Sequence, residues 1–314
     1  MKRYVIRRLL ALIPVLLIVG LIGFLILNLI PGDPALVILG PEATLDQVAK
    51  LRKELGLDMP IYIRLFYWYL KLFRLDLGNS IFLSRPVIKA IFERLQPTIL
   101  LSLISLIIAS VIGVTTGIFA ALKRGTWIDT FFTSLSVLGL SIPSFWLSLI
   151  MIIIFGVWLK WFPVAGYVPI KEGLLNSLKT LILPSLVLGF VSSAFISRVT
   201  RSSMLDVLNQ DYIKVAHAKG LKKKDVIIKH ALRNAILPII TVMGLTLGNL
   251  MSGAVIVETV FAIPGVGQLV LSSIQRRDYP LTQGILLFTA TIFVLINLLV
   301  DIFYALLDPR IRYD

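Results

Sequence analysis

The order of apolar and polar positions divides the chain before any single residue is considered. Residues 9–30 carry no charge, and comparable apolar runs recur from near Pro97 to the Lys123-Arg124 pair and over 130–159, 180–196, 236–257 and 281–300. A helix of roughly 20 apolar residues crosses a hydrocarbon core about 30 Å thick. The pattern therefore predicts an all-α membrane protein with six transmembrane helices. A cleaved signal would share the basic start, but its apolar region runs only about 7–15 residues and ends at small residues. The first run here ends in Pro31-Gly32-Asp33-Pro34, which predicts a retained span.

The intervals differ in character. Residues 31–96 form a long charged excursion. Within it Thr44 to Gln47 reads as a capping box, Leu45, Val48, Leu51 and Leu55 share a helix face, and Gly56 closes that helix. Residues 60–75 mix aromatics with Arg64, Lys71 and Arg74, the composition of a helix lying at the membrane interface. Pro143, inside the third run, predicts a kink. Gly113/Gly117 and Gly244/Gly248 have the spacing that lets helices approach closely. The fourth run is short and rich in serine (Ser185, Ser192, Ser193, Ser197), which fits helix-to-helix hydrogen bonding better than the lining of a path. Residues 160–179 and 258–280 read as loops, with Trp158, Trp161 and Tyr167 at interface positions. Pro264-Gly265-Val266-Gly267 reads as a turn.

The most densely basic interruption between spans is 210–238. Seven of its residues are Lys or Arg, against Asp211 and Asp225. Gly220 splits it. The first half, 211–219, has Asp211 at a plausible N-cap, a basic last turn and Gly220 in the C′ position. In the second half Val226, Ile227, His230, Ala231 and Asn234 recur at helical spacing, and Pro238 is expected to stop or kink the helix. The result is a compact, basic, two-helix loop between spans.

Composition sharpens this. Of 314 residues 57% are hydrophobic and 15% charged, with a mean hydropathy of +0.92. The formal charge of +14 would suggest nucleic acid in a soluble chain. In a membrane chain, basic residues instead flank spans and fix topology, so lipid and not nucleic acid is the expected neighbour. In countable regions, seventeen Lys/Arg fall on the side of both termini and the 210–238 loop, against five on the other. The nine in 31–96 lie on a loop too long for the rule to apply. The positive-inside rule thus places both termini and the basic loop in the cytoplasm.

Chemistry is scarce. The chain has no cysteine and two histidines, His217 and His230, so neither a thiol nucleophile nor a Cys- or His-built metal centre is available. There is no phosphate-binding G-x-x-x-x-G-K-[ST] and no hydrolase or kinase motif. No catalytic residue, cofactor or metal site is expected. Ionisable residues near the middle of the spans, which a proton- or ion-driven carrier needs, are also missing. A transporter of this kind would draw its energy from a partner, and the basic loop is the place to receive it. The rival readings are a secondary transporter and a membrane scaffold whose basic loop binds a regulator.

The run Tyr212, Ala216, Ala218, Lys219, Gly220, Leu221, followed by His230 to Pro238 reading HALRNAILP, resembles the ATPase-docking loop of ABC importer permeases. More narrowly, it resembles the first-permease branch of the dipeptide, oligopeptide and nickel permeases. RRLLALIPVLL, LIPGDPA, LDLGNS, IPSFWL, WFPVAGY, VETVFAIPGVGQL, RDYPLTQG and YALLDPRIR agree in the same order along the chain. The resemblance implies a MetI-like permease fold in a prokaryotic cell membrane, with residues 1–96 as a first helix plus long outer loop and 97–314 as the core permease. It also implies a coupling loop over 201–237. In that loop the helix starting at Asp211 seats on an ATPase subunit, with Tyr212 as anchor, Ala216 and Ala218 allowing close approach, and Gly220 turning the chain. Lys219, Leu221, His230, Arg233, Asn234 and Pro238 complete the motif. The implied partners are a homologous second permease forming a heterodimer, two cytoplasmic ATPases and an external substrate-binding protein. The implied cargo is peptide-like, nickel or an oligosaccharide. One departure stands out. Where the general ABC importer loop has Glu-Ala-Ala, this chain has Lys214-Val215-Ala216, so no salt bridge from an acidic first residue is expected.

Overall fold

The structure is a computed structural model that describes residues 2–29, 33–252 and 254–307. The chain opens with α1 (Lys2–Leu29), followed by three short helices, α2 (Pro34–Leu39), α3 (Leu45–Glu54) and α4 (Ile61–Phe73). The expected capping box starts α3: Gln47 N–H donates to Thr44 Oγ1, and Thr44 N–H to Gln47 Oε1. A two-residue antiparallel hairpin, β1 (Asn79–Ser80) with β2 (Arg85–Pro86), leads into the 36-residue α5 (Val87–Leu122). Then come α6 (Trp127–Ser141), α7 (Ser144–Met151) with its π-type continuation Ile152–Trp158, and α8 (Leu174–Leu208). Next are α9 (Asp211–Ala218), α10 (Lys223–Asp225), a π-type stretch Val226–Leu232 and α11 (Arg233–Met251). The chain finishes with α12 (Val255–Val260), α13 (Val266–Gln275) and α14 (Tyr279–Leu307).

Among the described residues, four helical stretches are long and apolar enough to cross a membrane: Val87–Leu122, Leu174–Leu208, Lys223–Met251 and Tyr279–Ile302. Trp127–Ser141 and Ser144–Trp158 together form a fifth, bent by 101° at Ile142-Pro143, so the predicted proline kink is present and severe. The apolar stretch Leu10–Ile26 of α1 is shorter.

α5 and α8 form the backbone of the fold, and glycines decide how closely they meet. A Cβ on Gly113 would come within 2.7 Å of Ile196 Cβ, and one on Gly117 within 2.6 Å of the Ser197 carbonyl. Serine behaves as glue here: Thr116 Oγ1 donates to Ser197 Oγ at 2.9 Å, and Ser193 to its own helix. Gly244 and Gly248 of α11 likewise leave room for Val300 and Phe293 of α14.

Four boundaries differ from the sequence reading. α5 starts ten residues before Pro97 because Val87, Ala90 and Ile91 bury against Val266, Leu269, Leu281 and Ile285. Tertiary burial there overrides a local breaker. α8 continues through Lys179 and Arg198 at its two ends, where charged groups reach water or partners. Pro238 does not stop its helix. It lies exposed on α11, and the irregular winding comes upstream, at Val226–Leu232. The predicted fifth span breaks after Met251, and the supposed 258–280 loop is largely helical, as α12 and α13. The terminal stretch 308–314 and the side chains of Lys2, Arg3, Arg7, Arg8 and His217 lie outside the described residues.

Candidate functional site

The 210–238 stretch projects from one end of the α5–α8 pair. A buried apolar cluster fastens it there: Ala121 from α5, Met204 from α8, Ile213 and Ala216 from α9, and Val226, Ala231, Ala235 and Ile239 from the segment leading into the membrane. α9 is thus two-faced. Ile213 is 2% and Ala216 7% exposed, whereas Tyr212 is 44%, Val215 51% and Leu221 41% exposed. Gly220 closes the helix with φ +75° and nothing within 4 Å of where a Cβ would stand, so the turn needs glycine for its backbone angle and not for space.

The geometry redistributes roles within the motif. Ala216, expected to allow close approach of a partner, faces the chain's own core. It is small because it fits beside Met204 and Val226. Asp211 stands inside the first turn of α9, where its carboxylate takes the Lys214 ammonium at 2.8 Å. Tyr212, Ala218, Lys219, Gly220 and Leu221 are exposed together at the tip. Arg233, Asn234 and Pro238 are exposed on the ascending helix, and His230 is half-buried. There the Asn234 amide donates to the His230 carbonyl at 2.6 Å, closing one wide turn.

A bidentate ion pair braces this end, and no local sequence signal announces it. Arg201, two turns before the end of α8, donates from Nε and Nη2 to the two Asp129 oxygens at 2.7 and 2.8 Å. Asp129 also takes Gly125 N–H at 3.1 Å. The turn between α5 and α6 is thereby tied to the helix that carries the loop. No periodicity relates residues 72 positions apart.

The opposite end is held differently. Glu258 is fully buried, accepting from Thr98 Oγ1 and from Gln268 N–H, both at 2.9 Å. Its charge lies against the N-terminus of α13, where backbone N–H groups favour an anion. Thr98 Oγ1 accepts in turn from Val266 N–H. The PGVG stretch is therefore more than a turn. A Cβ on Gly265 would collide with the Glu258 carboxyl group, and one on Gly267 would come within 2.9 Å of it. Burial pushes the Glu258 carboxyl above its usual range, although Gln268 N–H, Thr98 Oγ1 and Gly267 N–H pull it down. Asp278 is equally buried. It accepts from Ser80 Oγ, Phe82 N–H and Leu281 N–H, which stitches the β1–β2 hairpin to the start of α14.

No group of three or more His, Cys, Asp or Glu suited to a metal occurs among the described residues. What the geometry offers is a surface: an exposed aromatic and apolar tip, held rigidly at the end of a bundle of spans. Residues 113–313 match the family described as binding-protein-dependent transport system inner membrane component, and residues 1–103 match the N-terminal region of such components. The chain belongs to that family. It is a multi-pass membrane permease component of an ABC transport system and not an enzyme in its own right. A Brucella abortus chain that carries the name of a peptide transport system permease is 45% identical over all 314 residues of both proteins. The glutathione transport system permease of Salmonella typhimurium is 43% identical over 313 residues, covering both chains in full. Among solved structures, an inward-facing methionine ABC transporter chain superposes with a TM-score of 0.59 at 18% identity, over 70% of this chain and 96% of that one. That likeness concerns the fold, which is the MetI-like permease fold.

Proposed function

We propose that this permease forms half of the path of an ATP-driven importer for peptide-class substrates delivered by an external binding protein. The reading adds six spans with both termini cytoplasmic, a core permease at 97–314 preceded by the 1–96 extension, and pairing with a homologous second permease. It also adds two ATPase subunits seated on the loop. One observation carries the docking: Tyr212, Val215 and Leu221 are exposed at the tip of α9, while Ile213 and Ala216 fasten the same helix to the bundle. Apolar and aromatic side chains left uncovered on a rigid, polar segment are the usual anchors of a protein interface. The lysines around them would steer an acidic partner. The peptide class follows from the names of the full-length relatives.

Affinity purification of the native complex in mild detergent tests this. A nucleotide-hydrolysing subunit is expected to co-purify. Gly220→Asp, which forces a side chain into a left-handed turn, is expected to abolish uptake while membrane insertion persists. Uptake by the isolated chain in liposomes, driven by a proton gradient alone, would overturn the reading.

A further inference from the structure

At the end of the bundle remote from α9, α4 lies against α1. The Tyr69 hydroxyl donates to the Leu17 carbonyl at 2.7 Å, and Trp68 lies over Gly20, where a Cβ would come within 2.8 Å of its ring. Trp68 also meets Phe24, with ring centroids 6.1 Å apart. This seating leaves a cavity of about 470 Å³ between α3, α4, the end of α1 and the start of α14. Arg64, Tyr67, Trp68 and Lys71 line it from one face of α4, at spacings of three, four and seven, and Lys53 reaches it from α3.

The lining has a one-sided charge. Among the described residues, three cations border the cavity and no Asp or Glu does. None of the three forms an ion pair among the described residues, although nearby Arg52 does, with Asp33. Arg64 is half-buried with its guanidinium 5.9 Å from the centre of the Phe24 ring. A half-buried cation in a lining without a carboxylate is costly unless an anion from outside completes the set.

We propose that this cavity binds the phosphodiester headgroup of an anionic phospholipid. One feature favours lipid over a soluble anion. Tyr62, Phe66, Tyr67 and Phe73 of α4 are exposed, the placing of aromatics that settle at the headgroup level. The volume lies within the ~300–1,000 Å³ range of small-ligand sites, enough for a phosphoglycerol group. The site does not involve the docking tip, so it stands or falls independently of the ATPase reading.

The test uses the full chain in nanodiscs of phosphatidylcholine containing a minor fraction of phosphatidylglycerol, with retained lipids weighed by native mass spectrometry. Phosphatidylglycerol is expected to be retained well above its bulk fraction. A juxtaposed Lys or Arg contributes roughly a fivefold preference for anionic lipid. The combined Lys53→Gln, Arg64→Gln and Lys71→Gln variant is therefore expected to lose retention about a hundredfold. Lys53→Arg with Lys71→Arg, which keeps the charge, is expected to preserve it, as is Lys222→Gln with Lys223→Gln at the other end. Equal retention of the two lipids, or an unchanged triple variant, would overturn the proposal. So would loss in the charge-keeping variant. Displacement of the lipid by millimolar inorganic phosphate would assign the site to a soluble anion, and capture of an acidic protein segment there would assign it to a partner; either would overturn the lipid.

Discussion

The two ends of this permease bundle are fastened by different balances of contacts. The loop end is held by small apolar side chains, Ala121, Ala216, Ala231 and Ala235, around Met204 and Ile213, with one bidentate ion pair, Arg201–Asp129, at its base and its aromatic tip uncovered. The far end is stitched by two buried carboxylates, Glu258 and Asp278, each satisfied by backbone and hydroxyl donors from distant parts of the chain. Apolar contacts are non-directional and tolerate small sliding. Hydrogen bonds to a buried carboxylate fix direction and are costly to leave unmade. The contrast makes the far end the more directionally fixed of the two, whereas α9 itself is held by apolar contacts.

The strongest challenge to that contrast is Asp278→Ala. It orphans Ser80 Oγ, Phe82 N–H and Leu281 N–H, at roughly 1–3 kcal/mol each if left buried. Denaturant unfolding in lipid nanodiscs is expected to show a loss of about 4 kcal/mol; a loss under about 1 would mean that the far end is not held by its carboxylates. Tyr212→Ala should do the reverse. Chain stability is expected to hold within about 0.5 kcal/mol, while affinity for the ATPase falls about 30-fold by titration calorimetry. A smaller effect separates the ends by pH. Because the Glu258 carboxyl is raised in the folded state, its contribution is fully present below its unfolded value and is lost as pH rises through its folded one. Glu258→Gln is therefore expected to flatten the pH dependence of the melting temperature across and just above the ordinary carboxylate range. The smallest effect belongs to the lysines. Lys222→Gln, Lys223→Gln and Lys224→Gln together are expected to slow ATPase association a few-fold at low salt and leave the dissociation rate unchanged. A change confined to dissociation in stopped-flow mixing would show that they touch the partner directly.

The same contrast explains what could be read from the sequence. The loop end is built from local signals. Gly220 at a C′ position, apolar residues at helical spacing and a basic tip all lie within 29 residues, and the chain folds there much as they indicate. Ala216 shows the limit, since small size alone does not say which way a residue faces; its place three positions after the buried Ile213 does. The far end depends on pairs such as Thr98 with Glu258 and Ser80 with Asp278, 160 and 198 positions apart. No periodicity encodes those meetings. The only trace was a pair of glycines beside a proline, which local rules assign to a turn. Proline misled for a related reason. Pro97 and Pro238 break isolated helices, but in an apolar environment the remaining backbone groups have no water to turn to, and the helix persists. Pro143 did bend its span, where Ile142 leaves helical geometry.

The glycine-seamed contact of α5 with α8 has a mechanical side. Gly113, Gly117 and the Ile196–Ser197 stretch bring the two helices into backbone-level contact. Helices of 36 and 35 residues make a lever about 50 Å long at 1.5 Å per residue. A tilt of about 5° imposed at its loop-bearing tip would sweep the opposite tip through about 4 Å, roughly the width of an extended chain. A modest tilt of such a lever would become a displacement of a few ångströms at its far tip, without any helix having to unwind.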